Sequence, residues 1–254
     1  MRLGWLAGAL AAASIAAPAH ALADKPYLAP GQFDPLVLLS PPPTSPEQLG
    51  QDLKGVLAAQ AARTPALLKR ASEDTTDLSA FATVLGPKFT EKNVPATAAF
   101  LHKVTKETWA QVRLAKDCWE RPRPFVASHD VHPIQPPTPD APTKNTAPHD
   151  AGSPCKPLDK PVFSYSYPSG TSNFGATVAI LLAAMIPEKR DEIFARGWEL
   201  GQSPLILGGH FPSDLEAGRI LATATVAVMM QNPSFKTDFA ASRVELRTAL
   251  GLPA

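Results

Sequence analysis

Three separated stretches carry residue types suited to handling an oxyanion. The segment KDCWERPRPF, residues 116–125, offers Lys116 as a point charge and Arg123 as a forked, bidentate donor held between prolines. The segment YPSGTSNFG, residues 167–175, turns through Pro168-Ser169-Gly170 into an apolar run. A helix beginning there would present free backbone N–H groups and the positive end of its dipole. The Ser169 hydroxyl would add a donor, and Gly170 would let a ligand approach the backbone. Thr171 then stands where a proton-transferring side chain is expected. The third segment, GQSPLILGGHFPSDLEAGR, holds His210 and Asp214 four residues apart. On a helix both would share one face, so that Asp214 fixes the tautomer and the second imidazole nitrogen is left to attack. Each stretch alone has a commoner reading: a cation at a helix C-terminus, an ordinary helix cap, a surface His–Asp pair.

The elements that would position these groups read as helical. Ser45-Pro46 with Gln48 is a helix start, followed by Leu49, Leu53, Val56 and Leu57 on one face. The spacing predicts further helices over 78–85 and over 95–115, the latter with Phe100, Leu101, Val104, Thr108 and Val112 in register. Others follow over 172–186, 188–200, 213–230 and 236–250. No alternating strand pattern or internal repeat is present, so the expected fold class is all-α, a single-domain bundle over residues 24–254.

Residues 126–161 form a proline-dense loop carrying His129, His132 and His149, which read as solvated histidines. Cys118 and Cys155 flank it. A disulfide between them would stabilise the fold by roughly 4 kcal/mol in the chain-entropy model, two unrelated thiols being the alternative. Residues 1–23 resemble an export signal: Arg2, an Ala-rich apolar run, and two small-x-small sites ending at Ala21 and Ala23. The apolar runs 176–186 and 220–230 are short of the ~20 residues a membrane span needs. A net charge of +1, from 24 Lys and Arg against 23 Asp and Glu, gives no basic stripe for nucleic acid or an anionic membrane.

Taken together, the three stretches resemble, in order and spacing, the tripartite motif of the class A bacterial non-specific acid phosphatases. These belong to the type-2 phosphatidic acid phosphatase superfamily, which also holds the vanadium haloperoxidases. The family pattern is Lys, six residues, Arg-Pro; Pro-Ser-Gly-His; and Ser-Arg, five residues, His, three residues, Asp. Lys116, Arg123 and Pro124 match the first part, Pro168, Ser169 and Gly170 the second, and Ser203, His210 and Asp214 the third. Thr171 replaces the His of the second part, and Pro204 the Arg of the third.

The resemblance implies the helical fold of the acid phosphatase and haloperoxidase type, a periplasmic or secreted location, and no metal or cofactor. It implies that His210 is a nucleophile forming a phosphohistidine, oriented by Asp214. Lys116, Arg123, Ser169 and the Gly170 N–H would hold the phosphoryl oxygens. Thr171 would stand in the general acid's place, with His129, His132, His149 or Arg121 as candidates to compensate for what is missing. Partners would be small phosphorylated substrates or inorganic phosphate, and homo-oligomer formation is left open. Two other readings stand beside the phosphomonoesterase: a non-catalytic phosphate-binding relative and, last, a haloperoxidase.

Overall fold

A computed structural model describes residues 22–134 and 165–253. The export signal through Ala21, most of the proline-dense loop, His149 and Cys155 lie outside the described residues. Cys118 is buried and is not a free thiol.

The described residues form helices joined by turns and loops, with no strand among them. In order the helices are α1 (Pro35–Leu38), α2 (Pro46–Ala61), α3 (Pro65–Glu73), α4 (Ala82–Leu85), α5 (Pro95–Trp119), α6 (Pro124–Ala127), α7 (Gly170–Met185), α8 (Arg190–Ile206), α9 (Pro212–Met229) and α10 (Pro233–Leu250). A 3-10 turn, Leu78–Phe81, precedes α4. Much of the unusual proline content serves as punctuation. Pro35, Pro46, Pro65, Pro95, Pro124, Pro212 and Pro233 each occupy the first position of a helix. There φ is already suitable and the missing N–H would have had no partner. Ser45, Thr64 and Asn232 cap the helices that follow them.

The most apolar helix, α7, lies at the centre, packed against α5, α8 and α9. It approaches α8 at Gly175 and Gly197, where a Cβ on either would come within 2.6 Å of the opposite helix. The main core gathers Phe100, Leu101 and Val104 of α5, Leu181, Leu182 and Met185 of α7, Ile193 and Leu200 of α8, and Phe235 and Leu246 of α10. Full burial of side chains this size is worth roughly 1.5–3 kcal/mol each. Tyr27 joins it from the N-terminal strap, edge-on to Phe235 at 5.3 Å.

The helix expected to end near 200 instead runs to Ile206 with Pro204 inside it. One helical hydrogen bond is lost there, and α8 ends within a turn and a half. The long helix likewise outruns its expected end, Ala115, and reaches Trp119. It stops where Glu120 adopts a left-handed φ of 43°, an uncommon conformation for a residue with a Cβ, before Pro122. That reversal aims the next residues back into the molecule.

Candidate active site

Most motif residues sit at or near the ends of helices. Lys116 is in the last turn of α5. Arg123 is the N-cap of α6, Ser169 the N-cap of α7, and Gly170 the first residue of α7. His210 lies in the turn between α8 and α9. Asp214 is the third residue of α9. His210 and Asp214 therefore do not share a helix face, as the four-residue spacing suggested. They meet across a helix start, because Asp214 folds back to accept the N–H of the cap residue, Phe211, at 2.8 Å.

The imidazole is bonded at both nitrogens. Nδ1 lies 3.2 Å from Asp214 Oδ2, and Nε2 lies 2.6 Å from Arg123 Nη1. A guanidinium can only donate, so Nε2 must be the acceptor and the ring proton sits on Nδ1, facing the carboxylate. Arg123 also donates to the Gly209 carbonyl at 2.8 Å, which fixes the fork against the turn that carries His210.

Asp214 is completely buried and held from several directions. Its Oδ1 accepts from Arg121 at 2.5 Å, and Oδ2 accepts from the Ser166 hydroxyl as well as Phe211 N–H. Its own carbonyl accepts the Ser169 N–H at 2.8 Å, tying α9 to the start of α7. Arg121 continues the network to Asp52 of α2 at 2.7 Å, and Ser213 bridges the same pair. Arg121 was a candidate to reach a ligand. It is instead buried and committed to two carboxylates, with its guanidinium 4.1 Å from the Phe211 ring centroid.

Burial would raise the Asp214 carboxyl, but Arg121, His210 and Ser166 outweigh it and hold the group well below the usual carboxylate range. His210 moves down to about 3, first because it is desolvated and then because Arg123 and Lys116 stand close, against the pull of Asp214. Lys116 is pushed well below its ordinary value by burial and by Arg123. Its ammonium donates to the Tyr165 and Ser166 carbonyls at 2.5 and 3.1 Å. Burial brings Arg123 down to about 10. Three cationic or ionisable donors thus crowd one site, an arrangement an added anion would relieve.

That site opens into a cavity of about 540 Å³ lined by Lys116, Arg123, Gly170, Thr171 and His210 at one end. At the start of α7 the Ser169 hydroxyl oxygen accepts Ser172 N–H at 3.3 Å, and its carbonyl accepts Asn173 N–H. Ser169 itself is buried as a cap, while Gly170 and Thr171 line the cavity. Gly170 cannot carry a side chain here: a Cβ would lie 2.0 Å from Cζ3 of Trp109. His129 and His132 are exposed and do not line the cavity. Ser203 donates to Asp74 at 2.5 Å, and Asp74 is paired with buried Arg196. Sequence reasoning missed Asp52, Ser166 and Ser213. Ser166, two residues from the Pro-Ser-Gly turn, and Ser213, beside Asp214, had a positional clue, and Asp52 had none.

An all-α fold that gathers an imidazole–carboxylate pair, a lysine, an arginine and a helix N-terminus around one cavity defines a class of oxyanion-handling protein. The comparisons with known proteins agree in detail. Residues 96–238 match the model of the PAP2 superfamily. The chain is 32% identical to a non-specific acid phosphatase of Providencia stuartii, over 94% of each chain. It is 30% identical to an acid phosphatase of Zymomonas mobilis, over 85% of this chain and 76% of that one. A non-specific acid phosphatase of Salmonella typhimurium is 32% identical over 70% of this chain and 66% of its own. The chain belongs to the PAP2 superfamily, in its branch of class A bacterial non-specific acid phosphatases.

Proposed function

We propose that this protein is an exported phosphomonoesterase that works through a phosphohistidine on His210. The hydrolase class follows from the relatives, which are named acid phosphatases. The observation that carries the mechanism is the tautomer: Nδ1–H faces Asp214, and the lone pair is on Nε2 beside Arg123 and the cavity. A phosphoryl group bound there would draw Arg123 and Lys116 onto its oxygens, together with the Gly170 and Thr171 N–H groups. Nε2 then attacks phosphorus, the P–O bond to the leaving group breaks, and the electron pair departs on that oxygen. Asp214 stabilises the imidazolium character that develops. Water next attacks the phosphohistidine, the P–N bond breaks, the electron pair returns to Nε2, and phosphate leaves.

Thr171 lines the cavity but is too weak an acid to protonate an alkoxide near neutral pH. Loss of a general acid commonly costs about 10²–10⁴ in rate. Leaving groups that are already stable anions escape most of that penalty. Pro204 supplies neither charge nor N–H, so the phosphoryl oxygens would depend on Lys116, Arg123 and the amides. The test is hydrolysis of an aryl and an alkyl phosphate by the wild type, His210→Ala and Thr171→His. Aryl turnover that vanishes in His210→Ala is expected; wild-type turnover no higher than that variant's defeats the reading.

The same substitutions favour a second reading, a phosphate-binding protein without turnover. It requires heat of phosphate binding by calorimetry together with no His210-dependent hydrolysis.

The export reading rests on Arg2 and the Ala-rich apolar run of the sequence, and contacts just after that run bear on where it would be cut. Leu22 packs on the core, and Ala23 N–H donates to Asp238 at 3.1 Å while Lys103 holds the Ala23 carbonyl. Tyr27 Oη donates to the same Asp238 at 2.6 Å. Cleavage after Ala21 keeps all of these contacts, and cleavage after Ala23 removes those of Leu22 and Ala23 while keeping that of Tyr27. The intact mass of exported protein is expected to correspond to a chain starting at Leu22.

A further inference from the structure

The cavity does not end at the phosphoryl site. From Lys116 it runs back along α5, lined by Trp109, Lys106, Thr105 and His102, with Phe174 of α7 and Thr76 opposite. These α5 positions recur at three- and four-residue spacing and form one stripe of the helix. Lys106 stands ten residues before Lys116, about 15 Å along the axis, and Trp109 lies between them. The Trp109 ring is anchored edge-on against Gly170, the residue that opens the phosphoryl end, and remains partly exposed. A leaving group attached to a bound phosphoryl group and lying along α5 would have the indole as a wall of its path.

The charge along this path has one sign. No Asp or Glu lines the cavity. Carboxylates do approach the outer end: Glu91 pairs with His102 at 2.8 Å, and Asp77 lies close enough to feel it. His102 is thus already balanced. Lys106 is exposed and has no hydrogen bond or ion pair among the described residues. Arg113, on the same stripe between Trp109 and Lys116, also has none, and its Nε is buried. Solvated lysines on helix surfaces are common. One that lines a cavity shared with the phosphoryl site, with an aromatic wall between, has a more specific use.

Resting on the phosphatase reading, we infer that α5 forms a leaving-group subsite for phosphate esters whose leaving group is aromatic and ends in a second negative charge. Trp109 and Phe174 take the ring, and Lys106 takes the distal anion. Such leaving groups are phenolates, which need little help from a proton donor, so the subsite would favour the substrates that the Thr171 site can still turn over.

The experiment compares paired substrates with the full-length enzyme: phenyl phosphate with 4-carboxyphenyl phosphate, and biphenyl-4-yl phosphate with 4′-carboxybiphenyl-4-yl phosphate. The longer carboxylate is expected to bind better than its neutral partner. Lys106→Met should raise the ratio of carboxylate to neutral KM about 1.5- to fivefold, in keeping with a solvent-accessible ion pair, and Lys106→Glu should raise it further. The wild-type preference should fall as salt is added, and Lys236→Met, at an exposed position of α10 outside the cavity lining, should leave the ratio where it was. A ratio unmoved by both Lys106 variants overturns the subsite while leaving the phosphatase reading intact. Hydrolysis of phenyl phosphate no faster than by His210→Ala would instead overturn the phosphatase reading, and the subsite with it.

Discussion

The two ends of the cavity are built differently. At the end that holds His210, the proposed nucleophile, the key groups are over-determined. His210 is bonded at both nitrogens, and Asp214 accepts from Arg121, Ser166, Phe211 and His210. Arg121 is in turn clamped by Asp52. At the leaving-group end Trp109 is partly exposed, Lys106 is exposed, and Thr171 offers only a hydroxyl. The contrast follows from what each end must do. A nucleophile needs one ring orientation and one tautomer, and only several simultaneous bonds in a dry site enforce both. A leaving group of varied shape needs a wall and a charge, and a looser surface supplies them.

The sharpest way to break this comparison is to remove the proposed nucleophile. His210→Ala should lower kcat for an aryl phosphate by about 10⁴-fold or more, measured by phenolate release. Asp214→Asn should come next, with a loss of about 10²–10⁴ in kcat and little change in KM, because an amide can present its N–H to the ring and reverse the tautomer. It should also leave Arg121 facing a neutral group in a buried site. A loss of about 3–5 kcal/mol in denaturant unfolding would show that this end is rigid because it is paired.

Thr171→His probes the permissive end and should change less. Alkyl phosphate turnover is expected to rise by up to about 10²-fold, with aryl turnover nearly unmoved. An equal gain on both substrates would mean that the added ring binds phosphate rather than protonates the leaving group.

The pH dependence should show the smallest effect. His210 is lowered to about 3 by burial and neighbouring cations, so the ring stays neutral and nucleophilic well below its ordinary range. The acid limb of kcat/KM in the free enzyme should therefore fall near pH 3 rather than 6.5. For stability the sign is the same: between those values the unfolded chain binds the extra proton, so stability falls as pH drops through the window. His210→Gln should flatten that part of the stability curve.

Much of this was legible in the residues. The proline-started helix capped by Ser45, the apolar register of α5, and the core runs within α7 and α9 all follow from local propensity and periodicity, whereas α3 with its Thr64 cap was not read. The Lys116, Arg123, Gly170, Thr171 and His210 cluster around one cavity was suggested by motif spacing. The meeting of His210 and Asp214 was also expected, though by the wrong geometry. Spacing alone cannot tell a shared helix face from a side chain folding back over a helix start. Arg121 was misread for a similar reason. In an extended segment Arg121 and Arg123 are alike on paper, and only the packed neighbours decide which one meets carboxylates and which meets the imidazole.

The sequence by itself determined the helical class, the order of the long helices and the residue types offered to the site, because these depend on short-range backbone preferences and residue chemistry. Only the tertiary structure decided which nitrogen of His210 carries the proton, that Asp52 and Ser166 support Asp214 from remote segments, and that Lys106 shares a cavity with Lys116. Those facts depend on donors and acceptors brought together across long stretches of chain. No local pattern encodes the partner a buried charge will find.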